Sequence, residues 1–126
     1  MLAVLWELYC YQDLYPELME NLKIACRGQY FQKYQSEFDI AHKYGYFEGA
    51  INDVGILFTP QPVLVAAYTE NVTYGEDTLG RLAELLTEYS LYHTEKQAAA
   101  ELLAQAQAEA EEQARIVAVE AEAAAV

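Results

Sequence analysis

Ile40-Ala41-His42-Lys43-Tyr44-Gly45 places a lysine two residues before a glycine in a run of alternating character, and Ala50-Ile51-Asn52-Asp53-Val54-Gly55-Ile56 follows after a short gap. An ammonium carried on a strand attracts a carboxylate and adds positive potential where an oxyanion develops. A glycine beside it keeps that stretch of edge clear of side chain, so an extended substrate can lie against the backbone. Adjacent strand residues point to opposite faces, so His42 and Lys43 part company. His42 is therefore expected to be packed or hydrogen-bonded rather than to act as a base.

Such a lysine needs a sheet to hold it, and the flanking patterns supply one. Glu37 to Tyr46 alternates, with Phe38, Ile40 and His42 on one face and Asp39, Ala41 and Lys43 on the other. Gly45 to Gly49 is the turn region, and Ile51 to Thr59 is a second strand. Pro60-Gln61-Pro62 breaks it, and the apolar run Val63 to Tyr68 reads as a third strand covered on both faces. Short connections make the three an antiparallel meander. Leu2 to Tyr11 is a helix so dense in large apolar groups that burial on several sides is expected. Pro16 opens a second helix carrying Leu18, Leu22 and Cys26, and Gly28 stands where a stop would be. After a loop from Asn71 to Asp77, Thr78 to Tyr92 is the clearest helix. Its stripe of Leu79, Leu82, Leu86 and Tyr89, with Leu85 and Tyr92 beside it, suits the cover of one sheet face. The fold class is α+β.

From Glu95 onward alanine, glutamate and glutamine dominate, which favours a solvated helical extension over residues 95–126. Leu102, Leu103, Ile116 and Val117 are too few for a sustained coiled-coil seam. Acids outnumber bases by 13 to 5 up to Thr94 and by 7 to 2 after it, so neither part offers the basic stripe that phosphate backbones require. Nucleic acid is excluded as a partner. Cys10 and Cys26 fall in apolar helical patterning and read as buried free thiols, with a bridge between adjacent helices left open. Neither histidine lies near them in sequence, and no metal or cofactor is expected. The opening residues lack a basic region before an apolar core, and no stretch is long enough to span a membrane. As given the chain reads as soluble, with export or a cell-envelope place expected if a signal lies upstream of Met1.

The order of elements and the two strand motifs together resemble the C-terminal part of class A β-lactamases and related penicillin-recognising serine hydrolases, over roughly residues 2–93. In that family three motifs converge: S-x-x-K carries the acylated serine, S-D-N a bridging serine, and K-T-G the sheet-edge lysine. Lys43 and Gly45 match the first and third positions of K-T-G. The resemblance implies that Lys43, Tyr44 and Gly45 bind a small molecule or peptide bearing a carboxylate, that Lys43 biases proton transfer, and that the Tyr46 backbone N–H donates to the oxyanion. Tyr44 stands where the family carries Thr or Ser, and its hydroxyl lies several ångströms further from the backbone. The second strand offers Asn52 and Asp53 where many relatives place a second carboxylate-binding cation.

The nucleophile itself is missing. Ser36 is followed by Glu37-Phe38-Asp39 and Ser90 by Leu91-Tyr92-His93, so neither forms S-x-x-K, and S-D-N does not occur. The resemblance therefore implies a partial domain over residues 1–94, inactive alone, that a complementing N-terminal segment would complete. The alternative is a non-catalytic interaction protein that uses its sheet edge or acidic tail. Glu48 and Asp53 are a conceivable acid pair, His93 suits a helix end, and the remaining tyrosines are expected to pack the core and rim.

Overall fold

A proline needs no N–H partner in a first helical turn, and Pro16 occupies that place in helix α2 (Pro16–Ile24). A computed structural model, which describes residues 1–124, sets α2 after helix α1 (Leu2–Cys10) and before strands β1 (Ile40–Phe47), β2 (Ala50–Leu57) and β3 (Val63–Glu70). Helix α3 (Gly75–Ala124) follows, and short 3-10 turns stand at Gln12–Leu14 and Tyr30–Gln32. The sheet is antiparallel in the order β1-β2-β3, and the α+β expectation holds.

Strand alternation divides the core in two. Ile40, Leu57 and Val65 pack with Phe31, Leu79 and Ala83 on one face. Ala41 and Ile56 pack with Leu5 and Met19 on the other, under α1 and α2. Glu48 and Gly49 both have positive φ, 44° and 88°, and with Phe47 opposite Ala50 they form the two-residue turn whose twist matches a hairpin. That tight loop fixes the register along β1 and β2.

Several expected boundaries shift. β1 begins at Ile40 rather than Glu37, α2 ends at Ile24 before Gly28, and α3 begins at Gly75 and continues through His93, which is therefore not a helix end. β3 is an edge strand packed on both faces, with Val63, Val65 and Ala67 in one core cluster and Leu64 in the other, and only Tyr68 at the end of the expected run is exposed. Along α3 Gly75, Leu79, Gly80, Ala83, Thr87 and Ser90 are buried and Leu82 and Leu86 of the expected stripe pack half-buried against the core, while Leu85, Tyr89 and Tyr92 are exposed. Small residues win because the helix lies close to its neighbour: a Cβ at Gly80 would stand 2.9 Å from both Lys33 Cβ and Tyr34 Cδ2. α1 buries only Leu5. Cys10 is exposed and Cys26 half-buried, both as free thiols.

The chain divides into a compact unit over residues 1–92 and a second from His93 onward. The described part of the second unit is helical, and Leu102, Leu103, Ile116, Val117 and Val119 are exposed on it. Among the described residues no helix is long and apolar enough to cross a membrane.

At the start of α3 the Tyr34 hydroxyl donates to Asp77, and Lys33 Nζ lies 3.1 Å from the same carboxylate and 3.2 Å from Glu76. The Tyr34 hydrogen bond, then Lys33, holds the Asp77 carboxyl below its ordinary value. A depressed carboxyl contributes stability above its unfolded value, and that contribution is lost as the pH falls through the folded one. Asp77→Asn should therefore flatten the decline in melting temperature below about pH 4. A decline as steep as in the parent chain would refute the assignment.

Candidate active site at the open edge of the sheet

β1 has one free edge, and the register decides which backbone groups line it. Phe58 N–H donates to Asp39 C=O at 2.9 Å, so residues 39 and 58 form a hydrogen-bonded pair. Alternation then turns the N–H and C=O groups of Ala41, Lys43 and Gly45 toward β2 and those of Ile40, His42, Tyr44 and Tyr46 outward. Two side chains agree with this: Gln32 Nε2 donates to Ile40 C=O at 2.7 Å, and Lys43 Nζ donates to Tyr44 C=O at 2.7 Å. The Tyr46 N–H therefore faces the open side.

Lys43 shares the α1–α2 face with Ala41, beyond the part that the helices cover. It is exposed, and its ammonium sits 4.7 Å from the centre of the Tyr44 ring. Among the described residues it forms no ion pair, although Lys23, Lys33, Arg81 and Arg115 each do. The cavity walled by α1 and α2 and the one around Lys23 are not lined by it. A cation left unmatched in a chain of net charge −13 is open to an external anion.

The glycines separate by purpose. A Cβ on Gly45 would meet nothing within 4 Å, whereas one on Gly55 would meet Ala41 O at 2.7 Å and His42 Cβ at 2.9 Å. Gly55 lies opposite His42 and makes room for it. Among the described residues no packing requires the bareness of Gly45.

A family model described as the β-lactamase enzyme family matches residues 1–90. The chain belongs to that family. The match spans both helices, the whole meander and α3 as far as Ser90, so the sheet edge just described lies inside it, and β-lactamase-like hydrolase is the reading at family level. No curated protein matches this chain.

Beneath the edge lies a group that the sequence reading did not assemble. His42 Nδ1 is 2.7 Å from Asp53 Oδ2, and both side chains are fully buried. His42 Nε2 is 2.8 Å from the Ala25 carbonyl, and Phe31 N–H donates to Asp53 Oδ2 at 3.1 Å. The carbonyl can only accept, so Nε2 carries a proton, and one further proton lies between Nδ1 and Oδ2. The pair is neutral as a whole. Asp53 Oδ1 is buried and has no hydrogen-bond partner among the described residues. Asp53 is thus tied to His42 and not to Glu48, which sits in the exposed turn. The signal was present in register: Tyr44 faces Asp53 and His42 faces Gly55, which makes His42 and Asp53 diagonal neighbours on one face.

Tyr44 lies on that same inner face and stacks on Tyr30, with ring centres 4.2 Å apart and planes 13° from parallel. The stack explains how the position tolerates a long side chain. Neither serine is brought to the edge. Ser90 is buried, 2.8 Å from the Gln61 carbonyl and 3.0 Å from Thr59 Oγ1; Ser36 is exposed in the connection before β1.

Removing one member of a buried pair strands the other, at a cost of about 3–5 kcal/mol. His42→Ala and Asp53→Ala should each lower urea-unfolding stability by that order, and losses below about 1 kcal/mol would show the pair to be dispensable. Gly55→Ala should cost about 1–3 kcal/mol through overpacking. Gly45→Ala should leave the midpoint unchanged or slightly raised, and an equal loss at both glycines would show that packing also constrains Gly45.

Proposed function

We propose that this chain forms the sheet-edge half of a penicillin-recognising serine acyl-transfer site and is inactive by itself. The observation that carries the reading is one exposed, unpaired ammonium, Lys43, beside an unobstructed glycine and an outward N–H on the same strand edge. In this reading Lys43 binds the carboxylate of a β-lactam or D-alanyl amide and raises the positive potential at the reacting carbonyl. Gly45 admits the substrate against the strand, and the Tyr46 N–H donates to the oxyanion. A serine on a complementing segment attacks the amide carbonyl, the C–N bond breaks as the nitrogen takes up a proton, and water then cleaves the resulting ester. Because the Tyr44 ring is stacked on Tyr30, carboxylate binding rests on Lys43 rather than on a hydroxyl at the middle motif position.

The purified 126-residue chain should show no turnover of a chromogenic cephalosporin, and measurable hydrolysis would overturn the partial-site reading. Co-expression with a segment carrying S-x-x-K and S-D-N should yield a complex that a fluorescent penicillin labels covalently. Lys43→Ala in that complex should lower the labelling rate by about 10²-fold or more. Undiminished labelling would remove Lys43 from the site.

A further inference from the structure

Lys43 and Tyr44 leave β1 on opposite faces, yet their ends meet. Lys43 Nζ donates to the Tyr44 carbonyl at 2.7 Å and stands 4.7 Å from the centre of the Tyr44 ring. That carbonyl turns to the free edge, so the ammonium is drawn around the strand to the side on which the Tyr46 N–H lies. A cation at this distance from a ring is attracted by the ring's quadrupole.

The ring is itself held. Tyr30 lies against it with ring centres 4.2 Å apart and planes 13° from parallel, so Tyr44 cannot turn without breaking the stack. Tyr30 in turn precedes Phe31, whose N–H is tied to Asp53. Burial, then Tyr44 and Glu76, keeps the Tyr30 hydroxyl above its ordinary value, so Tyr30 brings no charge to the stack at neutral pH.

The kind of partner matters as much as the contact. Lys23 and Lys33 each lie against two carboxylates, which restrain a lysine and cancel its charge. A ring face and a carbonyl restrain an ammonium and leave its charge in place. An ammonium has three N–H donors. Tyr44 C=O takes one of them, and two remain for an incoming carboxylate. A long side chain that is already restrained also loses less freedom on binding. Thr or Ser at the middle motif position would offer a hydroxyl to the substrate and no ring to the lysine; Tyr44 does the reverse.

We propose that Tyr44 is a positioning residue: its ring, held by Tyr30, sets the Lys43 ammonium at the β1 edge, restrained but still charged, to receive a substrate carboxylate. The purpose of this arrangement rests on the acyl-transfer reading, whereas the arrangement itself is open to test in the chain alone.

Nuclear magnetic resonance on the isotope-labelled whole chain provides that test. A ring face shields the protons above it, so the Lys43 ε-protons should resonate upfield of those of Lys96, which is exposed in the second unit. They should also show Overhauser contacts to the Tyr44 ring, a readout that needs no substitution and does not depend on how a variant folds. The upfield shift should persist in Tyr44→Phe, shrink in Tyr30→Leu and vanish in Tyr44→Leu. Lys43 protons that match those of Lys96 in the parent, or a shift that survives Tyr44→Leu, would overturn the assignment. In the complex with the S-x-x-K segment, fluorescent penicillin should label Tyr44→Phe about threefold faster than Tyr44→Leu. Equal rates would refute a role for the ring in the site. A parent complex that is not labelled at all would sink the acyl-transfer reading, while the Lys43 resonances would still decide whether Tyr44 places the ammonium.

Discussion

The antiparallel register between β1 and β2, locked by the two-residue turn at Glu48–Gly49, is the constraint on which the rest depends. Once Phe47 faces Ala50, every residue of β1 has its face and its backbone direction assigned. His42 goes inward and Lys43 outward, and the N–H of Tyr46 turns to the free edge. A slip of one residue would bury the ammonium and expose the imidazole. The desolvation cost of burying that charge unpaired makes the slipped state inaccessible.

The buried His42–Asp53 pair reinforces this register and extends it to the connection between α2 and β1. That connection includes Cys26, Gly28 and Tyr30 at positive φ, a conformation that only the glycine adopts freely. It is held by four hydrogen bonds: His42 to the Ala25 carbonyl, the Phe31 N–H to Asp53, and the Gln32 amide to the carbonyls of both Lys23 and Ile40. Tyr30 thereby comes to rest on Tyr44. The inner face of the edge strand is filled, and its outer features stay free.

Family membership and local geometry bear on different questions. The match over residues 1–90 places the meander and its helices among β-lactamase-like hydrolases. Geometry adds that among the described residues the lysine makes no ion pair, that a side chain at its neighbouring glycine would meet nothing, and that neither serine stands at the edge.

Periodicity alone determined the element types, because burial of one face imposes a spacing of two on strands and nearly four on helices. The motif Lys43-Tyr44-Gly45, the opposed faces of His42 and Lys43 and the packed role of His42 were all legible from local pattern. Other features were decided only by tertiary structure. The pairing of Asp53 with His42 depends on a register set by backbone torsions in the turn, which composition does not encode. Which positions of α3 are buried depends on what the fold brings against it: Lys33 and Tyr34 at Gly80, Gln35 at Thr87, and Thr59 and the Gln61 carbonyl at Ser90. The exposure of α1 runs against its hydrophobic density, because a helix at the margin of a three-stranded sheet has only one surface to bury against.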